Sequence, residues 1–216
     1  MPKRITYLEA RGDRSREAFR DHWSTTHADI ARDLPGVAAY RQNHVLESVH
    51  TPPGGAYRVD GIVELWFADD AVVQAGFASG VADRLIIDEQ NFLSGLTGGP
   101  VTAAGPRGPW PAKLWVLARW AGRSEPDAVR RWAEGLSTTY DGALGWGVNV
   151  LVPGAELLVR EALRREEEIP EVAVAFGFAD EAGARRAAEG FGERLDGVRD
   201  ILARVHACVA EEIVII

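Results

Sequence analysis

The sequence predicts an α+β protein in which one strand–helix–strand–strand–helix–strand unit occurs twice and builds a barrel-like core. Three observations lead there. Segments of period two and period 3.6 alternate in the order βαββαβ through the first half. The same order restarts after a Gly- and Pro-rich stretch. The two openings, Tyr7-Leu8-Glu9-Ala10-Arg11-Gly12-Asp13-Arg14-Ser15 and Val116-Leu117-Ala118-Arg119-Trp120-Ala121-Gly122-Arg123-Ser124, lie about one repeat length apart.

Each element has a local cause. Residues 3–9 are rich in β-branched and aromatic side chains and predict a strand. A Gly12-Asp13-Arg14-Ser15 turn follows, with Ser15 placed to cap a helix. Phe19, Trp23, His27, Ile30 and Leu34 then recur every three or four residues. They form one stripe of a helix, or of two nearly continuous helices, which Pro35-Gly36 stops. Strands are expected over 37–46 and 59–67, separated by Thr51-Pro52-Pro53-Gly54-Gly55, and helix over 69–93 with an interruption at Gly80. The stretch 95–111 reads as Gly/Pro-rich, holding a short strand over 100–104 before a linker. In the second half, strands are expected over 113–120, 144–152, 171–178 and 207–216. Helices are expected over 127–136 and 180–202, the first capped by Ser124 and opened by Pro126. A charged segment spans 160–168. The expected division is 1–105, a linker at 106–111, and 112–216. A βαββαβ unit is a ferredoxin-like split βαβ, an antiparallel sheet with helices on one face. Two such units packed sheet to sheet, as a pseudo-dimer within one chain, would bury both bare faces.

Composition narrows the function. A content of 46% hydrophobic and 26% charged residues is ordinary for a globular chain. The net charge of −8 argues against nucleic acid or an anionic membrane surface as partner. No apolar run would span a bilayer and no secretory signal is visible, so the expected location is the cytoplasm. Cys208, the single cysteine, excludes an internal disulfide, fits no Cys-based metal site, and reads as a small core residue. No Gly-rich phosphate loop follows a strand, and His22 and His27 lack the four-residue helical spacing of paired metal ligands. The expectation is no metal and no cofactor.

Candidate chemistry concentrates in the first half, which holds His22, His27, His44 and His50 of the five histidines. Imidazole is the side chain best suited to move protons near neutral pH. At about 100° per residue, His27 sits about 40° beyond Trp23 on the inward stripe, and His22 falls on the other flank, about 60° from Phe19. His27 is therefore expected to point inward or to a rim, and His22 to be a half-exposed flank residue. Strand alternation groups Tyr40, Gln42 and His44 on one face, and Asp60, Glu64 and Trp66 on one face of the next strand. Both faces are expected to line the space between the sheets, with a carboxylate close to His44. Such a pair suits a general base; the bland reading is a polar network that only closes the barrel. His50 falls in the Pro/Gly loop, where exposure without function is the plainer reading. Trp115, Trp120, Trp132 and Trp146 read as core, or as an aromatic wall for a flat ligand.

Several blocks carry a family resemblance: Arg16-Glu17-Ala18-Phe19-Arg20-Asp21-His22-Trp23, Thr26-His27-Ala28, Leu34-Pro35-Gly36, Tyr40-Arg41-Gln42-Asn43-His44, Asp60-Gly61-Ile62-Val63-Glu64-Leu65-Trp66-Phe67 and Asp88-Glu89-Gln90-Asn91-Phe92. In this order, over roughly residues 3–105, the chain resembles the EthD-like family, named for ethyl tert-butyl ether degradation and part of the dimeric α+β barrel superfamily. The resemblance implies a ferredoxin-like barrel. It implies kinship with small cofactor-free enzymes: polyketide cyclases, decarboxylases, dehydratases and lactone isomerases. It implies proton transfer at His27, and in the lactone isomerases a second histidine at the position of His50. The second half departs from the pattern, placing Ser137 or a neighbour where His27 stands, and reads as a degenerate repeat.

The expected function is a cofactor-free acid/base enzyme acting on a small aromatic, polyketide-like or lactone substrate held between the sheets. His27 would be the acid/base, with Tyr40 and His44 polarising a carbonyl and Asp60 or Glu64 orienting a histidine. Trp23, Trp66, Phe92 and His50 would complete the binding site. A homodimer stays open. The competing readings are a non-catalytic binder of a hydrophobic metabolite and a haem- or oxygen-dependent barrel enzyme.

Overall fold

Eight antiparallel strands close into one barrel in the computed structural model, which describes residues 1–216. The first half comprises β1 (Lys3–Ala10), α1 (Arg16–His22), a π-helical turn (Trp23–His27), α2 (Ala28–Arg32), β2 (Val37–His50), β3 (Gly61–Phe67), α3 (Asp70–Phe77), α4 (Gly80–Phe92) and β4 (Leu93–Ala104). The second comprises β5 (Ala112–Trp120), α5 (Pro126–Ser137), β6 (Ala143–Leu151), β7 (Val172–Phe178), α6 (Glu181–Ala188), a 3₁₀ turn (Phe191–Leu195) and β8 (Leu202–Val214). Around the barrel the order is β1-β3-β2-β8-β5-β7-β6-β4, with β4 returning to β1. The halves join edge to edge, β2 on β8 and β4 on β6. Face-to-face stacking, as expected from the sequence, would leave four strand edges open; closure pairs them.

Local departures have local causes. β4 begins at Leu93, not at residue 100, and its glycines belong to the sheet. A Cβ on Gly98 would lie 2.3 Å from the Ile5 carbonyl oxygen, so this glycine marks close backbone approach rather than a linker. Ser124 does not cap α5; Glu125 holds that position without a side-chain bond. The helix expected over 180–202 ends at Ala188, because Gly190 turns left-handed (φ 64°) and only a 3₁₀ turn follows.

The barrel interior is filled, which removes the expected substrate space between the sheets. Ile5, Ile62, Trp115, Leu117, Ala175 and Cys208 pack there. Beside them lies a buried charge network: the Lys3 ammonium donates to Glu64 Oε1 and Asn149 Oδ1, both at 2.7 Å, and Lys113 donates to Glu64 Oε2 at 2.5 Å and pairs with Glu212. Burial pushes the Glu64 carboxyl up, but the ammonium groups of Lys113 and Lys3 outweigh it and hold it well below the usual carboxylate range. Register decides which residues face this interior. Tyr40, Gln42 and His44 pair with Leu65, Val63 and Gly61, whereas Arg41 pairs with Glu64. Paired residues share a face. Glu64 and Trp66 thus point inward as expected, while Tyr40, Gln42 and His44 point outward, beneath the helices. There they join Phe19, Trp23, Leu34, Leu85 and Phe92 in a second core. No helix is long and apolar enough to cross a membrane.

Candidate active site

The site begins with an irregular helix. Ser15 caps α1 by accepting the Ala18 N–H at 3.1 Å. The chain then widens into the π turn, where bonding runs i→i+5 and the turn takes in one extra residue. The Ser24 and Thr25 hydroxyls donate to the carbonyls of Arg20 (2.8 Å) and Asp21 (2.6 Å), satisfying acceptors inside the widened turn. In a regular α-helix, residues five apart diverge by about 140°. The π turn instead brings His22 and His27 to one carboxylate. His22 Nε2 lies 2.9 Å from Asp88 Oδ1, and His27 Nδ1 lies 2.9 Å from Asp88 Oδ2. Both imidazoles pack on Phe92, with centroids at 4.8 and 5.0 Å. His22 is therefore not the flank residue that α-helical phase implied.

Asp88 comes from α4, whose inward stripe is Ala82, Leu85, Asp88, Glu89 and Phe92. Burial pushes its carboxyl up, but hydrogen bonds from His27, His22 and Asn91 outweigh that and hold it down at about 2. An ionised Asp88 only accepts, so His27 Nδ1 carries the hydrogen. Nε2, which has no protein partner, is left with its lone pair.

His27 lines a cavity outside the barrel, between the outer faces of β1, β3 and β4 and helices α2, α3 and α4. The cavity has a volume of about 60 Å³ and opens to solvent. Leu8, Leu34, Val63, Leu85 and Leu96 make most of the wall apolar, and Tyr40 stands in it. The Tyr40 hydroxyl accepts from Trp23 Nε1 at 3.0 Å and from Gln42 Nε2 at 2.9 Å. With both lone pairs engaged, its own hydrogen is left over to donate. Burial pushes the phenol well above its usual range, so it stays a donor.

The other expected residues fall elsewhere. Trp23 and Phe92 are fully buried and act behind the wall, Trp23 on the Tyr40 hydroxyl and Phe92 under both imidazoles. Trp23 fits because Gly61 faces it; a Cβ there would lie 2.4 Å from the indole. His44 has no carboxylate beside it. Its Nε2 meets Gln42 Oε1 at 3.0 Å, its ring packs 4.3 Å from Trp23, and burial pulls its pKa down to about 3. Asp60 orients no histidine; its Oδ2 accepts the Ala10 N–H at 2.8 Å. Glu64 and Trp66 are committed to the barrel interior, with Trp66 4.4 Å beneath the Lys3 ammonium. His50 ends β2 and packs against Phe191 of the second half, away from the cavity. The sequence reading missed Asp88, whose signal was an acidic pair interrupting an apolar helical stripe.

The second half contributes to this wall. The segment joining β6 to β7 lies along β4: the Leu158 N–H donates to the Gly98 carbonyl at 2.8 Å and the Arg164 N–H to the Ser94 carbonyl at 2.9 Å. It carries Leu158 and Arg160 into the cavity lining, where Arg160 pairs with Glu89 at 2.5 and 3.2 Å.

Fold and site define an α+β barrel protein with a histidine–aspartate pair on a cavity between helices and sheet. Residues 11–95 match the model of the EthD domain. No curated protein sequence matches it. Among solved structures it is similar to an anthrone oxidase-like protein (TM-score 0.68, 7% identity, 98% of this chain and 91% of that one). It is also similar to a candidate monooxygenase from Fusobacterium nucleatum subsp. nucleatum (TM-score 0.60, 6% identity, 99% and 93%). A third likeness is to a candidate monooxygenase from Lactobacillus acidophilus NCFM (TM-score 0.55, 9% identity, 99% and 94%). At these identities the likeness is one of fold.

Proposed function

We propose that the chain is an acid/base enzyme that enolises a small aromatic, polyketide-like or lactone carbonyl compound, bound outside the barrel beneath α2 and α4. The observation that carries this reading is the Asp88–His27 pair, which leaves Nε2 as a base on an apolar cavity that also holds an oriented tyrosine donor. His27 Nε2 takes a proton from the carbon beside the carbonyl. The C–H electron pair becomes the C=C bond and the carbonyl π pair moves onto the oxygen, which accepts a hydrogen bond from Tyr40. Asp88 stabilises the imidazolium that forms, and His27 returns the proton at another position or to a leaving group. Cyclisation, dehydration and isomerisation share this enolisation, and a decarboxylation reaches the same enolate by losing carbon dioxide, with His27 then delivering a proton.

Two fused ferredoxin-like repeats, 1–105 and 112–216 joined by 106–111, account for the strand order, because β4-β1-β3-β2 recurs as β8-β5-β7-β6. In this reading the second repeat has no histidine–carboxylate pair and the molecule has one site.

The test uses 2-tetralone, a bicyclic ketone with acidic C–H bonds, in deuterated water. The wild type should speed exchange of those protons, and His27→Gln should lose that acceleration by about 10²-fold or more. Equal exchange by both removes His27 from the chemistry. Tight ketone binding without accelerated exchange favours a metabolite-binding protein instead.

A further inference from the structure

The cavity carries one cation that the acid/base reading leaves without a role. Arg4 lies on the outer face of β1, with Thr6 and Leu8, and its side chain lines the same cavity as His27 and Tyr40. Its guanidinium stacks 5.2 Å from the Phe77 ring. It makes no hydrogen bond or ion pair within the protein; Glu156 acts on it only through space. The other guanidinium on the wall, Arg160, is held at two points by Glu89. Arg4 is therefore a half-buried charge without a direct hydrogen-bonded partner at the edge of an apolar cavity. A guanidinium fixed by stacking with its donor fork free is suited to a planar carboxylate, which it can grip through two parallel N–H bonds. A phosphate dianion fits less well, since one free cation would face it and Glu89 would repel it.

We propose that Arg4 is the anion-recognition residue of this cavity, and that its ligand is a carboxylate-bearing ring compound with the carboxylate on Arg4 and the apolar body reaching toward His27. The proposal rests on the acid/base reading only for what happens at the His27 end. It places the reacting carbon of the substrate at a distance from an acidic group, so the reaction supplying the substrate must leave a carboxylate on the ring system.

The probes are 2-naphthoate and its neutral counterpart 2-naphthamide, titrated calorimetrically against the wild type, Arg4→Met and His27→Gln. The methionine keeps an apolar stem on Phe77 and removes the charge. The wild type should bind the naphthoate at least ten-fold more tightly than the amide. Arg4→Met should bind the two equally, with amide affinity and melting temperature unchanged, and His27→Gln should keep the preference. The proposal is overturned if the wild type shows no preference, if Arg4→Met retains it, or if neither compound binds. A preference that survives in His27→Gln, alongside deuterium exchange that also survives there, would leave the anion site standing while the acid/base reading fails.

Discussion

At the scale of single residues, the account rests on how one carboxylate divides its hydrogen bonds. Asp88 accepts from both His22 and His27, so Asp88→Asn should release the His27 tautomer and slow 2-tetralone exchange by about 10-fold or more while leaving the fold intact. The same substitution has a pH signature. The Asp88 pKa lies at about 2, below the usual carboxylate value, so its ionised form stabilises the fold above about pH 4, and this is lost as pH falls toward 2. The stability difference between wild type and Asp88→Asn should shrink across that window in urea titrations. His44 gives the complementary prediction. Its pKa is pulled down by burial to about 3, so the unfolded chain binds a proton that the folded chain refuses. Its contribution is fully present above about pH 6.5 and falls by roughly 1.4 kcal/mol per pH unit below it. His206, lowered to about 4, adds to the same slope. His44→Asn should flatten that slope without removing exchange activity. The sequence singled out His27 by its place on an apolar stripe and Tyr40 by strand alternation, although the π turn shifts the phase of the first and Tyr40 faces outward and not into the barrel. It concealed Asp88, because an acidic side chain on a helix is usually solvated.

At the scale of elements, the π turn decides whether histidines five residues apart can share Asp88. Helical phase computed at a uniform period splits His22 from His27, and that reading fails because one irregular turn resets the phase by about 100°. No composition rule distinguishes Ser24-Thr25-Thr26 as a π turn from an α-helical segment. Deleting Thr25 should convert the turn to regular α-helix and bring the histidines to a spacing of four residues, about 40° apart on one face, so that both still reach Asp88. Circular dichroism should show an intact fold, and exchange activity should be retained. A folded deletion variant without activity would show that the widened turn itself, and not only the pairing, is needed. The β2 error has a different origin. Alternation correctly grouped Tyr40 with His44, but alternation alone does not say which face is the interior; pairing of Arg41 with Glu64 does.

At the scale of the whole molecule, one half houses the site and the other completes it. The order βαββαβ was readable twice in the sequence, whereas edge-to-edge closure was not, since strand pairing between β2 and β8 spans most of the chain. Nor was the reach of the segment between β6 and β7, whose charged composition reads as solvated loop. Its Arg160 lies against a buried Glu89, and breaking a buried pair from one side typically costs about 3–5 kcal/mol. Arg160→Met should lower the melting temperature accordingly, and adding Glu89→Leu should restore most of it. If Arg160→Met is neutral, the second half does not hold this wall in place.

The central claim is that Asp88 fixes His27 with its hydrogen on Nδ1, so that Nε2 meets the cavity as a base. The most direct measurement is the ¹⁵N NMR spectrum of the His27 ring at mildly alkaline pH, assigned by comparison with His27→Gln. The account predicts a protonated Nδ1 and an unprotonated Nε2, with the Nδ1 hydrogen signal lost in Asp88→Asn. A ring protonated on Nε2, with a bare Nδ1, would contradict it.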